Sequence, residues 1–217
     1  MLIMKKFHLL LFILVFSIYS ISFADDLRDQ QLAETISNAI DYTNSDVRDT
    51  AVSFISAANG GSYNIYQVCD IFDSVYKRWI YVNDPNTGYY SPASKSIKLW
   101  KGDCDDYAIL MTALIHSIGG TVRIVCAEGN EKGSGHAYPE LYMGNDEQLL
   151  KDLLESLSYR YKGKKMNYRA YKTENGQTKY WLNLDWSAEH PGGKFFKGKK
   201  DILLIYANGY YERTKLN

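Results

Sequence analysis

A cysteine, a histidine and a carboxylate are the groups in this 217-residue chain that could make and break an acyl bond together. Cys104 stands in Gly102-Asp103-Cys104-Asp105-Asp106, just ahead of a run from Tyr107 to Ile118 that is apolar nearly all the way round. Such a run predicts a central, buried helix. A cysteine in its first turn meets unpaired backbone N–H groups and the positive end of the helix dipole, both of which favour the thiolate. Asp105 and Asp106 suit a helix N-terminus but repel a thiolate, so a neighbouring imidazolium is required.

Four histidines are available to supply it. His8 belongs to an N-terminal apolar segment, His116 closes the buried helix three turns from Cys104, and His190 precedes Pro191-Gly192-Gly193. His136 opens a strand directly after a glycine-rich turn over residues 129–135, so by elimination and position it is the candidate base. The base needs an acceptor for its second ring nitrogen. In the segment from Trp181 to Trp186, the period of two in a strand puts Trp181, Asn183 and Asp185 on one face and Leu182, Leu184 and Trp186 on the core face. Asp185 would complete a Cys-His-Asp set, with Asn183 as its rival on the same face. Each residue also has a plainer use, since a free cysteine packs well in a core and an aspartate at a strand end often caps a turn.

The elements that must hold these groups follow from periodicity. Residues 27–58 read as helical, with Leu32, Ile36, Ala39 and Ile40 on one stripe and Val47, Ala51, Phe54 and Ile55 on another, ended by Asn59-Gly60-Gly61. A third helix is predicted from Asn64 to Trp79, with Cys69 on its buried stripe. Residues 83–96, rich in Asn, Pro, Gly and Ser, read as a loop. After the buried helix, Gly119-Gly120 leads into a strand from Thr121 to Ala127 and a second from His136 to Met143. Pro139 interrupts the second, which predicts an edge position or a bulge. Leu149, Leu150, Leu153, Leu154 and Leu157 mark an amphipathic helix. A hairpin turns at Asn175-Gly176, and residues 202–206 and 210–213 can pair across Asn208-Gly209. Helices first and mostly antiparallel strands later make an α+β layout.

With these elements in place, Trp79-Ile80-Tyr81, Asp84-Pro85, Leu99, the Gly102-to-Ala108 element, Gly119, Arg123-Ile124-Val125, His136-Ala137-Tyr138 with Glu140, and Trp181 to Asp185 together resemble the transglutaminase-like superfamily. The resemblance spans most of residues 63–186. It implies a papain-like α+β core with the nucleophile on a central helix packed against an antiparallel sheet. It also implies that Cys104 is the nucleophile, His136 the base and Asp185 the orienting carboxylate. The interval of 49 residues between His136 and Asp185 is longer than the compact family pattern, because the leucine-rich helix and the 175–176 hairpin are inserted. A second oxyanion donor beside the Cys104 N–H is sought among Tyr81, Tyr90 and Trp100.

Compartment and partners are read from composition. Lys5 and Lys6 precede an apolar run from Phe7 to Tyr19, followed by Ser22-Phe23-Ala24 and then Asp25-Asp26. This is an export leader with cleavage expected after Ala24; an uncleaved membrane anchor is the alternative. The expected organisation is a leader over 1–24, a helical extension over 25–62 and a transglutaminase-like catalytic domain over 63–217. Residues 25–110 hold seven basic and thirteen acidic side chains, whereas 111–217 hold sixteen and twelve. That balance offers nothing for nucleic acid, and the basic excess in the second half is either a solvated face or a weak contact for an anionic cell-surface polymer. Cys69, Cys104 and Cys126 are an odd number for an exported chain, with Cys69 and Cys126 expected as inert core thiols or a mutual disulfide. There is no CxxC or Cys/His cluster, so neither a metal nor a cofactor is expected.

The leading function is an exported cysteine hydrolase acting on protein or peptide amides through a Cys104 thioester. The alternatives are a cross-linking glutamine acyltransferase and a non-catalytic binding module on the same fold.

Overall fold

The computed structural model describes residues 25–83, 88–131 and 134–215, so the expected leader lies outside the described residues. Helix α1 runs through residues 25–39 and α2 through Ser45–Phe54, with the break between them closed by the Asn44 side chain accepting from Asp46 N–H. Helix α3, Ile65–Arg78, starts at a capping box in which Asn64 and Gln67 satisfy each other's backbone N–H groups. After strand β1, Ile80–Tyr81, come α4, Ala93–Leu99, strand β2, Lys101–Gly102, and α5, Cys104–Ser117. The second half holds β3, Val122–Glu128; β4, Gly135–Tyr142; α6, Glu147–Arg160; β5, Tyr168–Lys172; β6, Thr178–Asn183; β7, Asp201–Tyr206; and β8, Tyr211–Lys215. No described helix is long and apolar enough to cross a membrane.

The six longer strands form one antiparallel sheet in the order β5-β6-β4-β3-β7-β8. Helix α5 lies on one face of it, against β3 and β4, and α2, α3 and α4 pack on α5 in turn. Every residue of α5 from Asp106 to Ile115 is buried, as its all-round apolar pattern requires. Alternation along the strands sends Val122, Ile124, Ala137, Leu141, Leu182, Leu203 and Ile205 into this core. Ile36 and Ile40 of the N-terminal segment and Val47 and Ala51 of α2 enter the same core, and α2 packs directly on α5. The architecture is the α+β arrangement of helices and antiparallel sheet.

The opposite face of the sheet is built round a charge. Arg123 on β3, 2% exposed, gives two hydrogen bonds to one carboxylate oxygen of fully buried Glu140 on β4, at 3.0 and 2.7 Å, and Arg169 on β5 binds the other oxygen at 2.9 Å. The Arg123 guanidinium is sandwiched between the rings of Tyr171 at 4.2 Å and Trp181 at 3.8 Å. Tyr138, Val125, Ile202 and Leu204, covered by Phe195 and Phe196, make a second apolar cluster beside it.

Three local expectations change. Residues 93–99 are helical, not loop, because α4 is held from outside itself: its start follows Pro92 with no side-chain cap, and Ser94 N–H bonds the Asp41 carboxylate at 3.1 Å. In α6 only Leu150 and Leu157 are fully buried and Leu149 is 53% exposed, so the helix covers the core with a narrower stripe than its five leucines suggest. Pro139 lies in a central strand and not at an edge. It sits where the β4–β6 ladder stops: its carbonyl accepts from Leu184 N–H at 3.0 Å, it has no N–H to return, and the Leu184 carbonyl takes the Tyr107 hydroxyl of α5 instead, at 3.3 Å. Among the basic residues of the second half, Arg160, Lys164, Arg169 and Lys199 are held in ion pairs with Asp70 and Asp73, Glu189, Glu140 and Glu128, and Arg123, Lys151 and Arg213 are likewise paired.

Replacing Glu140 leaves two arginines without their counter-charge, one of them fully buried. Glu140→Leu is therefore expected to lower stability by about 3–5 kcal/mol in urea unfolding. The Lys199–Glu128 pair is exposed, and Lys199→Ala should change stability by no more than about 1 kcal/mol.

Candidate active site

Cys104 is the first residue of α5, directly after the N-cap Asp103, whose side chain accepts from Asp105 N–H at 3.2 Å. It remains partly exposed where the helix behind it is buried. The helix start is fixed from both sides. The Asp106 carboxylate accepts from Ser91 N–H at 2.8 Å, and Gly102 lies so close to that carboxylate that a Cβ there would collide with it. Strands β1 and β2 pair in parallel with Tyr81 opposite Gly102, tied by Val82 N–H to the Gly102 carbonyl at 2.9 Å. This short ladder sets the Tyr81 ring beside Cys104. Burial first, and then the charges of Cys104, Asp103 and Asp105, push the Tyr81 phenol up to about 12, which keeps it a protonated donor.

His136 opens β4, and its Nε2 lies 2.7 Å from Asp185 Oδ2, which leaves Nδ1 as the ring atom for Cys104. The ring is held between Phe196 and Tyr138, with centroids at 4.9 and 5.6 Å. Burial works against the imidazolium, but hydrogen bonds to Asp185 and to Cys104 and the charges of both outweigh it, lifting His136 to about 9. Asp185 is 2% exposed and fully engaged: Oδ2 also accepts the Ser187 hydroxyl at 2.8 Å and Oδ1 accepts Ser187 N–H at 3.0 Å.

Asn183, the same-face rival, does not reach the imidazole. Its amide nitrogen donates to the carbonyls of Gly193 and Lys194 at 3.2 and 2.9 Å, and its oxygen accepts Asp185 N–H at 3.0 Å. It positions the backbone that carries Asp185. Ser187 was invisible to the sequence reading, because its role depends on a turn of 3₁₀ helix over Trp186–Ala188 that Asp185 itself caps. Trp186 is the other omission. The strand period assigns it to the core, and it does pack there against Tyr76, but the strand ends at Asn183 and the indole also stacks on Tyr81 at 5.8 Å.

Cys104, His136 and Ala137 are shared by two cavities. One, of about 270 Å³, is walled by Tyr81, Tyr107, Asp185 and Trp186. The other is an open cleft of about 920 Å³ running along α1, past Asp29, Leu32 and Ile36, with Tyr90 and Cys126 in its wall.

The remaining candidates have structural surroundings. His116 Nδ1 lies 3.0 Å from the Gly120 carbonyl and its ring stands edge-on to Tyr42; His190 is buried against Tyr161. Trp100 packs on Phe54, and Tyr90 faces the wide cleft, so of the three proposed donors Tyr81 is the one in the small cavity with Cys104. All three cysteines are free thiols. Burial chiefly pushes both Cys69 and Cys126 up to about 12. Asp103, Asp105 and Asp106 place carboxylate oxygens within 4.8 Å of one another, but Asp103 caps the helix and Asp106 holds Ser91.

Comparison with curated proteins finds no match. A solved structure described as a "Putative Cysteine Protease from Cytophaga hutchinsonii" aligns with a TM-score of 0.43 and 16% identity, over 79% of this chain and 51% of that one, so the chain spans about half the length of that protein. The model of the transglutaminase-like superfamily matches residues 55–152, from the end of α2 through Cys104 and His136 into α6. The α+β fold, with the Cys104-bearing helix against an antiparallel sheet, is consistent with similarity to the transglutaminase-like superfamily over those residues.

Proposed function

We propose that the protein is an exported cysteine hydrolase that cleaves peptide or side-chain amides through a thioester on Cys104, with His136 as base and Asp185 as its orienting partner. The observation that carries this reading is the 2.7 Å His136–Asp185 hydrogen bond, made on the ring nitrogen that leaves the other for a cysteine at a helix N-terminus. The transglutaminase-like core supports a cysteine-protease-like or acyltransferase-like reaction. The leader-like residues 1–24 support export.

The thiolate attacks the amide carbonyl carbon, and the C=O electron pair moves onto oxygen. There the Cys104 N–H, at the positive end of α5, and the Tyr81 hydroxyl can donate to it. The C–N bond breaks as the His136 imidazolium gives its proton to the leaving amine, and the acyl group stays on Sγ. His136, now neutral, takes a proton from water, whose oxygen attacks the thioester carbonyl and returns Cys104 as a thiolate. Asp185 stays ionised throughout, holding the ring by a hydrogen bond.

Cys104→Ala and His136→Ala are each expected to abolish turnover of a peptide substrate while leaving cooperative unfolding intact, because groups acting as one unit do not contribute additively. Asp185→Ala should cost roughly ten- to a thousandfold if it orients and stabilises the imidazolium without taking its proton. Wild-type activity in Asp185→Ala would remove it from the site.

The pH profile gives an independent check. His136 is raised from the ordinary value of 6.5 to about 9, so the interactions of its charged form are fully present below about pH 6.5 and are lost as pH rises through 9. The alkaline limb of kcat/KM should therefore fall from about pH 9, by about tenfold per pH unit, and Asp185→Asn should bring that limb to lower pH.

Cross-linking is the second reading, favoured by the small aromatic-walled cavity that shares Cys104 with the wide cleft, where an acceptor other than bulk water could be admitted. Incubation with a glutamine-containing protein and a labelled primary amine separates the two. Release of free acid is expected to outpace amine incorporation, and the reverse ratio would favour the acyltransferase.

A further inference from the structure

We propose that the sheet face turned away from α5 carries a second binding groove, separate from the Cys104 site, that takes an uncharged oligosaccharide. The groove encloses about 890 Å³, within the usual range of ligand sites. It crosses the strands, with Tyr171 on β5, Trp181 on β6, Tyr142 on β4, Arg123 on β3, Tyr206 on β7 and Glu212 on β8. Five strand spacings make about 24 Å, room for several sugar rings in a row.

Its floor is rigid and aromatic. Tyr142 lies 5.3 Å from Trp181, Trp181 lies 6.2 Å from Tyr206, and Tyr206 lies 5.4 Å from Tyr210 at the solvent end, where Tyr210 is 56% exposed. The Arg123 guanidinium, fixed by Glu140 and clasped between Tyr171 and Trp181, prevents this strip from collapsing. Trp181 is only 3% exposed, and its indole N–H is buried with no acceptor among the described residues, so this ring serves as packing beneath the groove.

The chemistry of the lining selects the occupant. Glu140 shares one negative charge between Arg123 and Arg169, which leaves one positive charge beneath the groove, and the other lining charges, Lys172 and Lys179 against Glu174 and Glu212, cancel. A single net charge is too small a field for a polyanion such as nucleic acid. A peptide added as a strand would run along a sheet edge, whereas this groove crosses all six strands, four of which are already paired on both sides. The rings of Tyr142, Tyr206 and Tyr210 for C–H surfaces, interspersed with the hydroxyl and amide groups of Thr121, Thr173, Thr214 and Asn175 for equatorial hydroxyls, are what a pyranose chain requires. The groove would hold the protein against a glycan while Cys104 works on an attached peptide.

Calorimetric titration of the Cys104→Ala protein with chitotetraose, cellotetraose, maltotetraose and xylotetraose tests this without any dependence on turnover. At least one should bind, with an affinity that persists in high salt and falls about tenfold in Tyr210→Ala. Absence of binding to all four at millimolar concentration would overturn the proposal, as would binding unchanged in both Tyr210→Ala and Tyr142→Ala. Binding only to an anionic polysaccharide, and lost in high salt, would overturn it in favour of an electrostatic surface.

Discussion

The site depends on the buried pairing of Arg123 with Glu140. A carboxylate with no exposure, bonded by one arginine on a neighbouring strand and a second two strands away, tolerates one register only, since a slip of a single residue would turn the charge into the hydrocarbon packed under α5. Glu140 stands opposite Arg123 on β3 and opposite Asn183 on β6. Fixing it therefore fixes His136, four residues earlier on β4, against Asp185, two residues beyond Asn183. The same ion pair organises both faces of the sheet's use, since it also supports the aromatic strip of the groove.

Helix α5 contributes the third group by a different principle. Its burial on all sides leaves it no rotational freedom, and the stop at Asp103, enforced by Gly102 and the parallel β1–β2 bridge, decides that Cys104 and not a neighbour opens the first turn. Thiol, imidazole and carboxylate thus come from three elements, and each is placed by packing outside the site. The imidazole is charged where it sits because Asp185 and Cys104 together outweigh the cost of its burial.

Much of this was legible in the chain. The apolar girth of residues 107–118, the stripe of α3 and the alternation of β3 gave the layers, because burial on one face or on all faces leaves a periodic trace. Cys104 and His136 were singled out by their positions at element starts, and the structure brings them to the same cavity. What escaped depends on tertiary partners: α4 has a weak pattern and is held by Asp41, Pro139 is tolerated in a central strand because the ladder ends there, and Ser187 and Trp186 acquire their places from a turn after β6. The choice between Asn183 and Asp185 also needed coordinates, since alternation gives the face of a strand but not the reach of a side chain beyond its end.

The arrangement at Pro139 links two distant positions. Because the proline offers no N–H to Leu184, the Tyr107 hydroxyl supplies the missing hydrogen bond, and in doing so it pins the second turn of the cysteine-bearing helix to the strand segment that leads into Asp185. An amino acid with a free amide at 139 would compete for the same carbonyl and release the phenol into a fully buried site, while loss of the phenol would strand the carbonyl. The two positions are structurally coupled: a change at either one disturbs the hydrogen bond that the other makes possible, and the spacing between Cys104 and Asp185 is kept by a residue pair outside the Cys104–His136–Asp185 cluster.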